Sequence, residues 1–258
     1  MAFLDVSGLK TNYELSGHGD SVLMFSNSLG TNLSMWEPQQ AALESRFRIL
    51  RYDTRGHGQT SVTPGSYTIE QLGRDVLSLL DSLHINRVDF CGLSMGGVIG
   101  MWLGINASNR LRRLVLCNTA PKIGSAEVWN ARIATVQKEG MKSVASSVVE
   151  RWFTPEFRAQ HKGKVAWTQQ MLENSSAQGY AACCAAIRDV DLREVVSRIK
   201  VPTLVIYGGS DPVIPNVEAG FLTGQIAGSA SLELNAAHLS NVEQAEAFSN
   251  ALADFLST

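Results

Sequence analysis

The sequence has no apolar run near the roughly 20 residues needed to cross a membrane, no cluster of Lys or Arg, and no CxxC pair among its four cysteines. Each absence removes a class of function. Without the long run, a membrane-spanning helix is not expected. The basic residues are scattered along a chain of net charge −2, so neither nucleic acid nor an anionic membrane is an expected partner. With no His at zinc-finger spacing either, Cys91, Cys117, Cys183 and Cys184 are expected to be buried free thiols rather than disulfides or metal ligands. The opening stretch, MAFLDVSGLKTNYELSG, lacks a basic segment ahead of a long apolar run, and a cytoplasmic location is expected.

What is present is an alternation. The chain has 258 residues, 45% of them apolar, enough for one large core. Short β-branched runs alternate with helix-compatible stretches, which predicts an α/β fold with a mostly parallel sheet flanked by helices. Eight strands are expected, at 3–6, 11–15, 21–26, 48–52, 87–91, 114–117, 201–207 and 231–234. The first two form a hairpin about Ser7-Gly8. Helices are expected at 37–45, at 68–83 with Thr68 as N-cap, at 95–107 and at 243–256. Between Pro121 and Arg198 no strand-like run occurs. Amphipathic helical segments follow one another there, marked by Trp129, Trp152, Trp167 and Tyr180. The expected division is therefore a core of 1–120 and 199–258, with a helical cap at 121–198 over the sheet's C-terminal edge.

The heptapeptide CGLSMGG, residues 91–97, lies between a predicted strand and a predicted helix. A nucleophile elbow needs this arrangement, because the turn is so sharp that the residues flanking the serine must be nearly free of side chain, as Gly92 and Gly96 are. Ser94 would then project above the sheet at a helix start, where the Met95 N–H favours developing negative charge. A serine hydroxyl needs a base, and the base needs an acid to orient it. His238, in LELNAAHLSNVEQ, follows the last strand, and Asp211, in YGGSDPVIP, follows the one before. The order Ser, Asp, His is that of the α/β-hydrolases. The Leu29 N–H, in FSNSLGTNLSMW, is the candidate second oxyanion donor. Asp53, Arg55 and His57, in DTRGHG, are expected to tie loops together beside the site.

The ordered set NSLG, DTRGHG, GLSMGG, GGSDPVIP and NAAHLSNVEQ resembles the α/β-hydrolase superfamily over nearly the whole chain. Within it, NSLGTNLSMW, YDTRGHGQT, WNARIATVQKEGM and GYAACCAAIRDVDL are similar to the bacterial 3-oxoadipate enol-lactonases. Those enzymes share Asn27-Ser28 where the wider superfamily opens its oxyanion loop with His-Gly. The resemblance implies a small anionic enol-lactone as substrate, opened by water in the β-ketoadipate route, with no metal or organic cofactor. The substrate carboxylate would need a cation, for which Arg132 and Arg188 are candidates, and Trp129 would form a pocket wall. The rival readings are a carboxylesterase or cofactor-free perhydrolase with the same triad and, more distantly, a small-molecule receptor of the same fold.

Overall fold

The computed structural model describes residues 2–6 and 8–257. A single eight-stranded sheet runs through it in the order β1-β2-β4-β3-β5-β6-β7-β8. The strands are β1 (Ala2–Val6), β2 (Leu9–Ser16), β3 (Val22–Ser26), β4 (Arg48–Tyr52), β5 (Val88–Leu93), β6 (Leu111–Cys117), β7 (Thr203–Gly208) and β8 (Ala230–Leu234). β1 and β2 pair antiparallel, β2 and β4 likewise, and every later pairing is parallel. Ser7, half of the expected hairpin turn, lies outside the described residues.

The core helices are α1 (Glu37–Leu43), α2 (Ile69–Ser82) and α3 (Met95–Asn106). Thr68 caps α2 by accepting the Gln71 N–H. Side chains on a strand alternate between faces, and two contacts show how the sheet is covered. Phe25 stacks on Trp36 at 4.5 Å, which in turn meets Phe248. Its neighbour Met24 pairs with Phe90, and Phe90 faces Gly100 of α3. The sheet is thus sandwiched, and β3, β5 and the later half of β6 are wholly buried.

Several strand bounds exceed expectation, and two of them bear on the core and the site. β6 begins at Leu111 rather than 114 because Arg112 and Arg113 are accommodated within the strand: Arg112 pairs with Asp89 at 2.9 Å and Arg113 lies over the Phe255 ring. β5 continues through Leu93, delivering the chain directly to Ser94.

Between β6 and β7 stand α4 (Ala126–Glu139), α5 (Lys142–Val149), α6 (Pro155–Gln160), α7 (Lys162–Glu173) and α8 (Ala177–Asp189), with no strand among the described residues there. Helices α9 (Val217–Gln225), α10 (Ser240–Glu243) and α11 (Ala245–Ser257) complete the chain. The last is the helix expected at 243–256, begun two residues later; the short α10 before it was not expected. The helix is interrupted at Gln244, and the Glu243 carboxylate turns back to accept the Ala237 N–H at 2.9 Å and the Thr154 N–H at 3.2 Å. All four cysteines are buried and free. No helix among the described residues is long and apolar enough to cross a membrane.

Candidate active site

Ser94 joins β5 to α3 at φ 56° and ψ −114°, a left-handed conformation that only a tightly determined turn sustains in a serine. A Cβ at Gly92 would run into the carbonyl of Gly96, and one at Gly96 into that of Ser26. The turn is pinned from both sides: the Ser94 N–H donates to the Cys117 carbonyl at 2.9 Å, and Thr119 Oγ1 donates to the Ser94 carbonyl at 2.8 Å. We expect Gly92→Ala to lose at least about 3 kcal/mol, because the obstruction is backbone and cannot rotate away. Urea unfolding of the variant would measure it.

Asp211 and His238 are both buried, and the His238 Nδ1–H donates to Asp211 Oδ2 at 2.9 Å. Three further donors converge on that carboxylate. Asn118 Nδ2 meets Oδ2 at 2.9 Å, and the N–H groups of Val213 and Ile214 meet Oδ1 at 2.8 and 3.1 Å. Burial raises the Asp211 pKa, but the charge and hydrogen bond of His238, with the bonds from Asn118 and Val213, outweigh it and hold the group below its ordinary value. With its Nδ1–H engaged, His238 presents Nε2 as the free base.

Ser94 and His238 open onto one cavity of about 140 Å³ between the sheet's loops and the helical segment 121–198. Ser94 Oγ makes no hydrogen bond among the described residues, so its bond to the base must tighten when substrate enters, as is common in unliganded enzymes. Leu29 lines the same cavity, and Met95 begins α3 beside Ser94. Among the described residues neither of their N–H groups has an acceptor. Two unclaimed donors beside the serine are what a developing oxyanion requires.

The helical segment contributes Trp129, Arg132, Arg151 and Tyr180 to the cavity wall. Trp129 is fixed by its Nε1–H donating to the Ile123 carbonyl at 2.6 Å. Arg132 donates to Tyr180 Oη at 3.1 Å and has no carboxylate partner among the described residues. Burial and the charge of Arg132 lower the pKa of Arg151, against opposing pulls from Tyr180 and the buried Asp211, so the two guanidiniums repel each other across a cavity wall that itself carries no Asp or Glu. Such a site favours an anion.

Arg188 departs from expectation. It lies on the outer face of α8, where Asp189 takes its Nε and Nη2 at 2.7 and 2.8 Å and Asn130 takes Nη1 at 2.8 Å; Ile187 reaches the cavity instead. Three of its five N–H donors and its charge are committed at the surface, and it does not line the cavity. Reading the sequence missed Arg151 and Asn118. Arg151 stands next to the noted Trp152, and proximity to that landmark was its only signal. Asn118 follows a buried strand at φ 44°, a conformation asparagine tolerates well.

Comparison with known proteins fits this geometry. A family model for the α/β-hydrolase fold matches residues 21–146. The chain is 44% identical to 3-oxoadipate enol-lactonase 2 of Acinetobacter baylyi over 96% of its length and 94% of that protein's. It is 41% identical to 3-oxoadipate enol-lactonase 1 of the same organism, over 91% and 88%. The solved structure of the enol-lactonase from Burkholderia xenovorans LB400 superposes with a TM-score of 0.98, at 44% identity and full coverage of both chains.

Proposed function

Because this chain belongs to the 3-oxoadipate enol-lactonase family of α/β-hydrolases, we propose that it opens 3-oxoadipate enol-lactone with water to 3-oxoadipate through a Ser94 acyl-enzyme. The observation that carries the reading is the single cavity onto which Ser94, His238 and two guanidiniums, with no acidic side chain in its wall, all open. A neutral ester would not call for those charges, whereas a lactone bearing an acetate arm would.

In this mechanism His238 Nε2 takes the Ser94 proton as Oγ attacks the lactone carbonyl. Asp211 stabilises the imidazolium, and the N–H groups of Leu29 and Met95 receive the oxyanion, each contributing roughly 10²–10³ in rate. Collapse expels an enolate, a better leaving group than an alkoxide. The enolate takes up the proton that the His238 imidazolium carries and becomes the ketone, which makes ring closure unfavourable and returns His238 to the neutral base. The departing arm stays tethered, because it was part of the ring. A water activated by His238 cleaves the acyl-enzyme and frees the dicarboxylate. No step calls for a metal or an organic cofactor. Segment 121–198 acts as a cap that reads the substrate, Trp129 forming an apolar wall and Arg132 with Arg151 gripping the carboxylate. The substrate is a central catabolite, and we place the enzyme in the cytoplasm.

Steady-state turnover of the enol-lactone against p-nitrophenyl acetate tests the reading. The wild-type chain should strongly prefer the lactone, and the reverse preference would favour an esterase. Arg132→Ala or Arg151→Ala should raise KM for the anionic lactone about tenfold or more, the value of one charge-assisted hydrogen bond. For the neutral ester KM should move less than about twofold on the same reasoning. Equal increases on both substrates would remove the arginines from substrate recognition.

A further inference from the structure

The DTRGHG loop takes no part in the chemistry above, yet two of its side chains reach the oxyanion loop. The Leu33 N–H donates to Asp53 Oδ1 at 2.8 Å, and the Gly30 N–H donates to His57 Nε2 at 3.0 Å. His57 is wholly enclosed, and burial pulls its pKa down to about 4, so the ring is neutral at physiological pH and its Nε2 lone pair is available. Nε2 can accept only if the proton sits on Nδ1, which lies 3.4 Å from the Arg55 carbonyl.

Residues 28–31 form a tight turn: the Thr31 N–H and Oγ1 both donate to the Ser28 carbonyl, at 3.2 and 2.8 Å. That carbonyl belongs to the same peptide unit as the Leu29 N–H, so the turn sets the direction of the oxyanion donor. Gly30, third in the turn, has φ +80°, the signature of a type II turn. Type I and type II turns differ by a flip of the central peptide, and that peptide carries the N–H held by His57. The following carbonyl, that of Gly30, lies 3.1 Å from Ser175 Oγ of the α7–α8 connection, whose one proton it shares with the Met171 carbonyl, also at 3.1 Å. A Cβ at Gly30 would strike Leu172 and approach the Tyr180 ring to 3.0 Å. The core therefore grips one side of Gly30 and the helical segment the other.

We propose that His57 and Ser175 are positioning residues that clamp Gly30 and hold the Leu29 N–H toward the oxyanion, so that the cap completes the catalytic machinery as well as covering it. The clamp rests on the Ser94 acyl-enzyme reading, but it acts on any acyl group, because it aims a donor and touches no substrate. Its test is accordingly blind to substrate identity. Ser94 is phosphonylated with a fluorophosphonate probe, whose phosphoryl oxygen occupies the oxyanion position, and p-nitrophenyl acetate turnover is followed alongside.

His57→Leu should slow phosphonylation and kcat by about 10- to 100-fold with KM nearly unchanged, part of the roughly 10²–10³ carried by a full donor. Ser175→Ala should slow both by about three- to tenfold on the same scale. His57→Gln, which returns an acceptor near the Nε2 position, should recover most of the rate. The double variant should lose no more than a full donor, because both residues act on one turn. Variants that melt at lower temperature yet react at the wild-type rate would overturn the clamp and leave His57 and Ser175 as packing residues. A wild-type chain inert to the probe would sink the Ser94 reading and the clamp with it.

Discussion

Ser94→Ala is expected to lower kcat for the enol-lactone by about 10⁴- to 10⁶-fold while leaving the fold and substrate affinity intact. The size follows from a change of chemical route. Without Oγ no acyl-enzyme forms, and water must attack the lactone directly, aided only by the oxyanion donors and the positioning of the ring. Stability should barely change. Ser94 already sits at φ 56°, and alanine tolerates that region no worse than serine does; its N–H and carbonyl bonds to Cys117 and Thr119 are backbone and survive. Because the arginines are untouched, the lactone should still bind. Titration calorimetry of the variant with lactone would then give a Kd near the wild-type KM. Loss of rate smaller than tenfold would mean that His238 delivers water directly and that Ser94 is a turn residue.

The elbow was readable in the sequence because its requirements are local. A serine between glycines separated from it by one residue, with a strand before and a helix after, needs no tertiary information, and the same holds for Thr68 as a cap. The acid and base were readable for a related reason. In a parallel sheet the loops after successive strands gather at one edge, so placing Asp211 and His238 after strands was enough to place them near each other. The cavity wall supplied by the helical segment 121–198 was not readable in this way. Arg132 and Arg188 both sit on helices beside apolar residues, Ile133 and Ile187, and only the rotation of each helix decides which faces inward. Helix α8 turns Ile187 in and Arg188 out, whereas α4 turns Arg132 in. Arg151 comes just after α5 ends, where periodicity no longer says which way a side chain points. The DTRGHG loop was rightly expected to bind loops together, but its particular target, the Gly30 peptide, depends on a turn geometry that no residue pattern there announces.

Asp211→Asn is the second large effect expected, about 10⁴ in kcat with the overall fold preserved. All four neighbours of the carboxylate are donors, two on each oxygen. An asparagine must point its amide NH₂ at one pair. If it faces His238, the imidazole moves its proton to Nε2 and can no longer deprotonate Ser94. If it faces Val213 and Ile214, both N–H groups lose their acceptor, the buried one of Ile214 at about 1–3 kcal/mol and the half-buried one of Val213 at less, and the imidazolium formed in the transition state still lacks its counter-charge. The variant should therefore be both slow and less stable.

The two effects separate with pH. A carboxylate whose folded pKa lies below its unfolded value of about 3.9 adds stability above that pH, and this is lost as pH falls through the folded pKa. Asparagine has no such dependence, so the stability gap between wild type and variant, measured by urea unfolding, should hold from pH 7 to about pH 5 and narrow as the pH falls below about 4. A gap constant with pH would show that Asp211 serves as a neutral hydrogen-bonding group. A kcat loss below tenfold would show that His238 holds its tautomer without the acid.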